Sequence, residues 1–155
     1  MVVFAMAGVS EVEKVDKAPT VEEGSRFRWL RTGLEALEAM LECLPAVRKT
    51  IRLETYIFHL GPIGERFRDA LIAAAERGVK VQVLVDAIGS FSLPDTFWEP
   101  LRAAGGECLW FNPVHLGRWS YRDHRKMLVC DDTVAFIGGF NIADEYHGDG
   151  VAHGA

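Results

Sequence analysis

The chain has 155 residues, 49% of them apolar and 25% charged, with a formal net charge of −5. This is material for one ordinary domain with a core, and it excludes disordered and collagen-like classes. The net negative charge also argues against a general basic surface for gripping nucleic acid, which needs clustered Lys and Arg; local basic patches stay open, and nucleic acid is not an expected partner.

Cys43, Cys108 and Cys130 are odd in number, widely spaced and set in apolar stretches. They read as reduced core thiols of a cytoplasmic protein, not as a disulfide framework or a zinc site. The opening VVFAMAGV is a short apolar run with no basic leader, so neither a signal peptide nor a membrane span is expected.

In chain order, residues 1–24 read as a flexible lead-in, residues 25–148 as a single domain and residues 149–155 as a disordered tail. RFRWL (26–30) is a short strand candidate. Thr32-Gly33 opens a helix in which Leu34, Leu37, Leu41 and Leu44 recur at helical spacing, and Pro45 kinks or ends it. IRLETYIF (51–58) predicts a strand, GPIGERFRDALIAAAERG (61–78) an amphipathic helix and VKVQVLVD (79–86) a second strand. LPDTFWEPLRAAGG predicts a helix after Asp95 or Thr96, and ECLWF (107–111) a third strand. Strands alternating with helices imply an α/β fold with a largely parallel sheet covered on both faces. HRKMLVCD (124–131) and TVAFIGG (133–139), parted only by Asp132, add a tight antiparallel hairpin, which makes the sheet mixed.

Within the hairpin, strand alternation projects His124 and Lys126 together, with Arg125 and Met127 on the other face. An imidazole beside a fixed ammonium suits a phosphodiester: one attacks phosphorus, the other neutralises the non-bridging oxygens as charge develops. That chemistry calls for no metal or other cofactor. Asn141, after Gly138 and Gly139, adds an amide donor, and the two glycines permit close backbone approach. Asp131 has the opposite parity to His124, which turns it away from the nucleophile and toward a scaffold role.

Several neighbours carry two readings. Glu54 and Tyr56 share a predicted strand face and either line the site or form a structural pair. Asp86 closes a strand at the sheet edge where α/β folds bind ligands, and is equally explained as a turn former. Arg118, Trp119, Tyr121 and Arg122 precede the hairpin and suit either a lipid headgroup layer or packing. His115, His147 and His153 carry no assigned role.

The set His124, Lys126, Asp131, Gly138, Gly139 and Asn141 resembles the HKD signature of the phospholipase D superfamily. LETYIF, RGVKVQVLVDAIGS, AGGECLWFNP and RDHRK followed by GGFNIADEY are similar, in order and spacing, to its bacterial cardiolipin synthase branch, over residues 26–148. The resemblance implies a phospholipase D-like half-domain, mixed but mostly parallel, with helices on both faces and incomplete at its C-terminus. It implies phosphatidyl transfer through a phosphohistidine, with His124, Lys126 and Asp131 as the catalytic set and Lys126, Asn141 and Gly139 holding phosphate. It further implies a phospholipid substrate, phosphatidylglycerol, and peripheral contact with the inner membrane.

Family members face two HKD motifs across a pseudo-twofold axis, and this chain carries one. The second is expected from a homodimer or from a C-terminal domain of a longer enzyme. Members also orient the histidine with a downstream carboxylate, a place that Glu145, Asp144 or Asp149 would have to fill. Two rivals stand beside this reading: a homodimeric phosphodiesterase or nuclease, and an inactive fragment or interaction module.

Overall fold

The computed structural model describes residues 1–5, 26–113 and 121–148. The elements run β1 (Val2–Ala5), β2 (Arg26–Trp29), α1 (Gly33–Cys43), β3 (Thr50–Thr55), α2 (Pro62–Glu76), β4 (Lys80–Asp86), α3 (Glu99–Ala103), β5 (Glu107–Phe111), β6 (Lys126–Cys130) and β7 (Val134–Ile137). Short 3-10 turns lie at Leu44–Ala46, Asp95–Trp98 and Asp144–Tyr146. The strands form one sheet in the order β2-β1-β7-β6-β3-β4-β5.

Local chemistry explains most boundaries. Thr32 Oγ1 accepts the Glu35 N–H at 3.1 Å while Glu35 Oε2 accepts the Arg31 N–H at 2.9 Å, a reciprocal cap that starts α1. Ala36, Leu37 and Met40 bury its inner face. Pro45 cannot continue the α-helix, so the chain tightens into the 3-10 turn and Val47 leaves it extended. Pro62 occupies the first turn of α2, whose Ile63, Phe67, Leu71 and Ala74 are buried at helical spacing.

The α/β fold expected from the sequence is present, with differences in detail. The β3–β4 and β4–β5 pairs are parallel. The β1–β2, β1–β7, β3–β6 and β6–β7 pairs are antiparallel, because the hairpin and the N-terminal strands extend the sheet on one side. Val2–Ala5 is a strand between β2 and β7 and not part of a loose lead-in: its pairing partners lie far along the chain, where local composition gives no signal. Residues 6–25 and the expected tail at 149–155 lie outside the described residues.

The sheet buries one face. Ile51, Leu53, Val81, Val83, Val85, Cys108, Leu128 and Cys130 pack in the same core as the inner faces of α1 and α2. On the opposite face Arg52, Glu107 and Leu109 are exposed, with Glu54, Gln82, Leu84 and Val129 half-buried. Among the described residues the expectation of helices on both faces is therefore met on one, and the outward residues read as charge alternating with apolar.

Two local expectations change as well. The turn of the β6–β7 hairpin spans Asp131, Asp132 and Thr133, since Cys130 pairs with Val134. Asp131 and Asp132 adopt left-handed backbone (φ 53° and 56°), a conformation that aspartate tolerates better than most residues. The helix expected after Asp95 is a 3-10 turn followed by the five-residue α3.

Candidate active site

The site forms at the edge where parallel strands β3 and β4 end and antiparallel β6 begins, the edge where open α/β sheets commonly bind ligands. Thr55 pairs with Lys126 there, the last rung between β3 and β6. Lys126 is buried to 6% exposure, and its Nζ donates to the His124 carbonyl at 2.8 Å. The expected strand at 124–131 begins only at Lys126, so His124, two residues earlier, lies before it and is exposed, and strand alternation does not set its direction. Burial holds the Lys126 ammonium below the ordinary lysine pKa, against the opposing pull of Asp123.

Tyr56 joins the two. Its ring centroid lies 4.7 Å from that of the His124 imidazole at an interplanar angle of 53°, and Lys126 Nζ sits 5.2 Å from the same centroid. One aromatic ring thus contacts both imidazole and ammonium. Tyr56 reaches this place because β3 stops at Thr55, so the face it shares in sequence with Glu54 is lost. Glu54 stays on the open face of the sheet, 3.1 Å from Arg125 Nε.

Asn141 arrives with the chain leaving β7. Ile142 bridges Phe58, and its N–H donates to the Ile57 carbonyl at 3.1 Å, which lays this segment alongside residues 57–59. Asn141 is buried, its Oδ1 accepts the Ile57 N–H at 3.1 Å, and among the described residues its Nδ2 donor has no partner. The amide is thereby anchored by its oxygen with its donor end unspent.

The glycines differ from expectation. A Cβ on Gly138 would lie 2.7 Å from Met1 Cα, so this glycine admits the N-terminal strand, whereas a Cβ on Gly139 would meet nothing within 4 Å. Asp131 does not reach the site. It sits at the far end of β6, where its carboxylate accepts the N–H groups of Arg48, Lys49 and Thr50 at 2.9, 2.6 and 2.9 Å. Burial pushes its pKa up, but these three bonds together hold it below the ordinary aspartate value. Asp131 thus braces the connection into β3 at the far end of β6, apart from His124 and Lys126, with which the family resemblance groups it as catalytic.

Asp86 is 1% exposed, and its hydrogen bonds go to backbone amides. One carboxylate oxygen accepts the Ile88 and Gly89 N–H groups at 2.9 and 3.0 Å, the other the Asp123 N–H at 2.9 Å. Glu145 pairs with His59 Nδ1 at 3.3 Å, and Asp144 accepts the Ile63 N–H at 2.9 Å at the start of α2. Neither contacts His124 among the described residues, and Asp149 lies outside them.

Sequence reasoning passed over Asp123. It is 4% exposed, its Oδ1 accepts from Arg125 Nε at 2.9 Å, and its Oδ2 is buried with no hydrogen-bond partner. No pattern marks it, because residue 123 precedes the strand and alternation says nothing of its burial. The loop holding Arg118 and Trp119 lies outside the described residues, while Tyr121 is exposed. Among the described residues no group of three or more His, Cys, Asp or Glu side chains gathers in a way that would hold a metal ion.

The α/β sheet thus brings His124, Lys126 and the anchored Asn141 to one strand end. The chain belongs to the cardiolipin synthase, PLD-like domain family, whose model matches residues 40–148. It is 39% identical over 139 residues to a cardiolipin synthase of Geobacillus sp. (strain WCH70), covering 87% of this chain and 28% of that protein. It is 38% identical over 120 residues to the major cardiolipin synthase ClsA of Bacillus subtilis (strain 168), covering 75% of this chain and 25% of that one. The chain thus spans about a quarter of the length of these relatives. In fold it is similar to NucT from Helicobacter pylori (TM-score 0.57, 17% identity, covering 76% of this chain and 73% of that one). It is also similar to Nuc, a phospholipase D family member from Salmonella typhimurium (TM-score 0.55, 20% identity, covering 70% and 66%).

Proposed function

We propose that the chain supplies one side of a phosphatidyl-transfer site, with phosphatidylglycerol as donor and cardiolipin as product. The observation that supports this most is the contact of the Tyr56 ring with both the His124 imidazole and the Lys126 ammonium, which keeps nucleophile and cation together at one strand end. In the first step a His124 nitrogen attacks phosphorus. A P–N bond forms, the P–O bond to the departing glycerol breaks, and that oxygen takes a proton from a second imidazole. The hydroxyl of a second phosphatidylglycerol then attacks the phosphohistidine, its proton passes to the second imidazole, and the P–N bond breaks. Lys126 and the Asn141 amide neutralise the non-bridging oxygens throughout.

The second imidazole comes from another HKD half, either a second copy related by a twofold axis or a further segment of a longer protein. Peripheral contact with a bilayer follows from the substrate; no helix among the described residues is long and apolar enough to cross one.

The test is to incubate the chain with phosphatidylglycerol labelled at phosphorus, alone and mixed with a second HKD half. Acid-labile label mapping to His124 is expected, and it disappears in His124→Ala. Full transfer activity in the His124→Ala protein overturns the reading. Salt-sensitive DNA cleavage without lipid turnover would favour a nuclease instead, an outcome the net charge of −5 weighs against.

A further inference from the structure

Asp86 joins two parts of the site that the chain brings from different places. Its Oδ1 holds the Ile88 and Gly89 N–H groups. That loop presses directly on Tyr56: a Cβ on Gly89 would lie 2.1 Å from the Tyr56 carbonyl oxygen. Ser90 completes the seat, its Oγ donating to that same oxygen at 3.2 Å and accepting the Phe58 N–H at 2.8 Å. The other oxygen, Oδ2, holds the Asp123 N–H, one residue before His124 and 37 positions away along the chain.

We propose that Asp86 is a positioning residue, whose two carboxylate oxygens separately fix the loop seating Tyr56 and the chain delivering His124, and so set the spacing of ring, imidazole and ammonium. The inference rests on the reading of His124 and Lys126 as the phosphate-handling pair. The geometry is demanding, because every donor involved is a backbone N–H and both oxygens must act as acceptors at once. An asparagine has one acceptor oxygen and would turn an NH2 group toward a backbone N–H on one side. A merely turn-forming aspartate would need only the Ile88 and Gly89 bonds, and the bond to Asp123 is what ties the turn to the nucleophile's strand.

The experiment uses the full chain. Proton and nitrogen NMR follows the His124 imidazole, whose ring protons are displaced by the neighbouring Tyr56 ring, and the Asp123 amide, displaced by its bond to a carboxylate. Tyr56→Leu identifies the ring contribution. Inorganic phosphate is the probe for binding. Asp86→Asn is expected to shift both signals toward those of an unconstrained chain and to weaken phosphate binding roughly tenfold, the consequence of one unsatisfied buried polar group. Ser90→Ala, which loosens the Tyr56 seat alone, is expected to move the His124 signals and leave the Asp123 amide in place.

Wild-type His124 and Asp123 signals in a folded Asp86→Asn protein overturn the proposal. If Asp86→Asn does not fold, Ser90→Ala decides, and unmoved His124 signals there overturn it. Failure of the wild-type chain to bind phosphate at His124 and Lys126 would refute the functional reading instead, while the NMR comparison still judges the clamp.

Discussion

Lys126 and Asp131 belong to one sequence signature and to opposite ends of one strand, and their environments give them opposite tasks. Burial disfavours the Lys126 ammonium, so its folded pKa lies below the ordinary 10.5. On the proposed reading the charged form binds phosphate, so affinity should be full near neutral pH and fall as pH rises through the lowered value. A plot of phosphate affinity against pH for the free chain should bend below 10.5; a bend at or above that value contradicts the assignment. Asp131→Ala removes the acceptor of three backbone N–H groups and should cost about 2 kcal/mol of stability by denaturant unfolding. It should leave phosphate affinity unchanged, because the residue does not reach the site. Lys126 was legible through the strand pattern, whereas His124 and Asp123 lie before the strand, which begins at Lys126, and alternation alone does not place them.

At the level of elements, the helices are tied down by residues distant in sequence. The first turn of α2 has no capping side chain of its own; Asp144, 81 positions later, accepts the Ile63 N–H. Asp144→Ala should therefore destabilise by about 1 kcal/mol and speed hydrogen exchange at the Ile63 amide. If exchange there is unchanged, the cap contributes nothing. The turn after β4 is held by close approach. Gly89→Ala must displace the Tyr56 carbonyl, and should cost about 1–3 kcal/mol while shifting the His124 NMR signals. Helix starts at Thr32 and Pro62 and the end forced by Pro45 were readable from adjacent residues. The three-residue hairpin turn was not, because Asp131 enters left-handed backbone while its carboxylate reaches the connection before β3.

Across the whole molecule, the segment after the site is clasped to the first helix. Glu38 accepts two bonds from Arg66 at 2.6 and 2.7 Å and lies 2.7 Å from His147 Nε2, while the Leu34 N–H donates to the Gly148 carbonyl at 2.8 Å. The Arg66 guanidinium, opposed by partial burial and aided by His147, holds the Glu38 carboxyl down to about 2. A carboxyl depressed in the folded state contributes stability that is complete above its ordinary 4.5 and is lost as pH falls toward 2. Tm measured against pH for wild type and Glu38→Gln should show a constant gap above about pH 5 that closes toward pH 2. Because both partners are partly exposed, the gap should also shrink with salt.

The sequence by itself determined what depends on near neighbours: the inward face of Lys126, Leu128 and Cys130, the Thr32 cap, the apolar stripe of α2 and the α/β class. Tertiary structure alone decided that Val2–Ala5 enters the sheet, that α1 and α2 cover one face, and that Asp86, Asp131 and Asp144 each satisfy amides 37 to 83 positions away where those bonds cross the fold. The physical reason is that periodicity is written in adjacent side chains. A buried N–H, by contrast, takes its partner from whatever chain folding brings within about 3 Å, a fact of space and not of spacing.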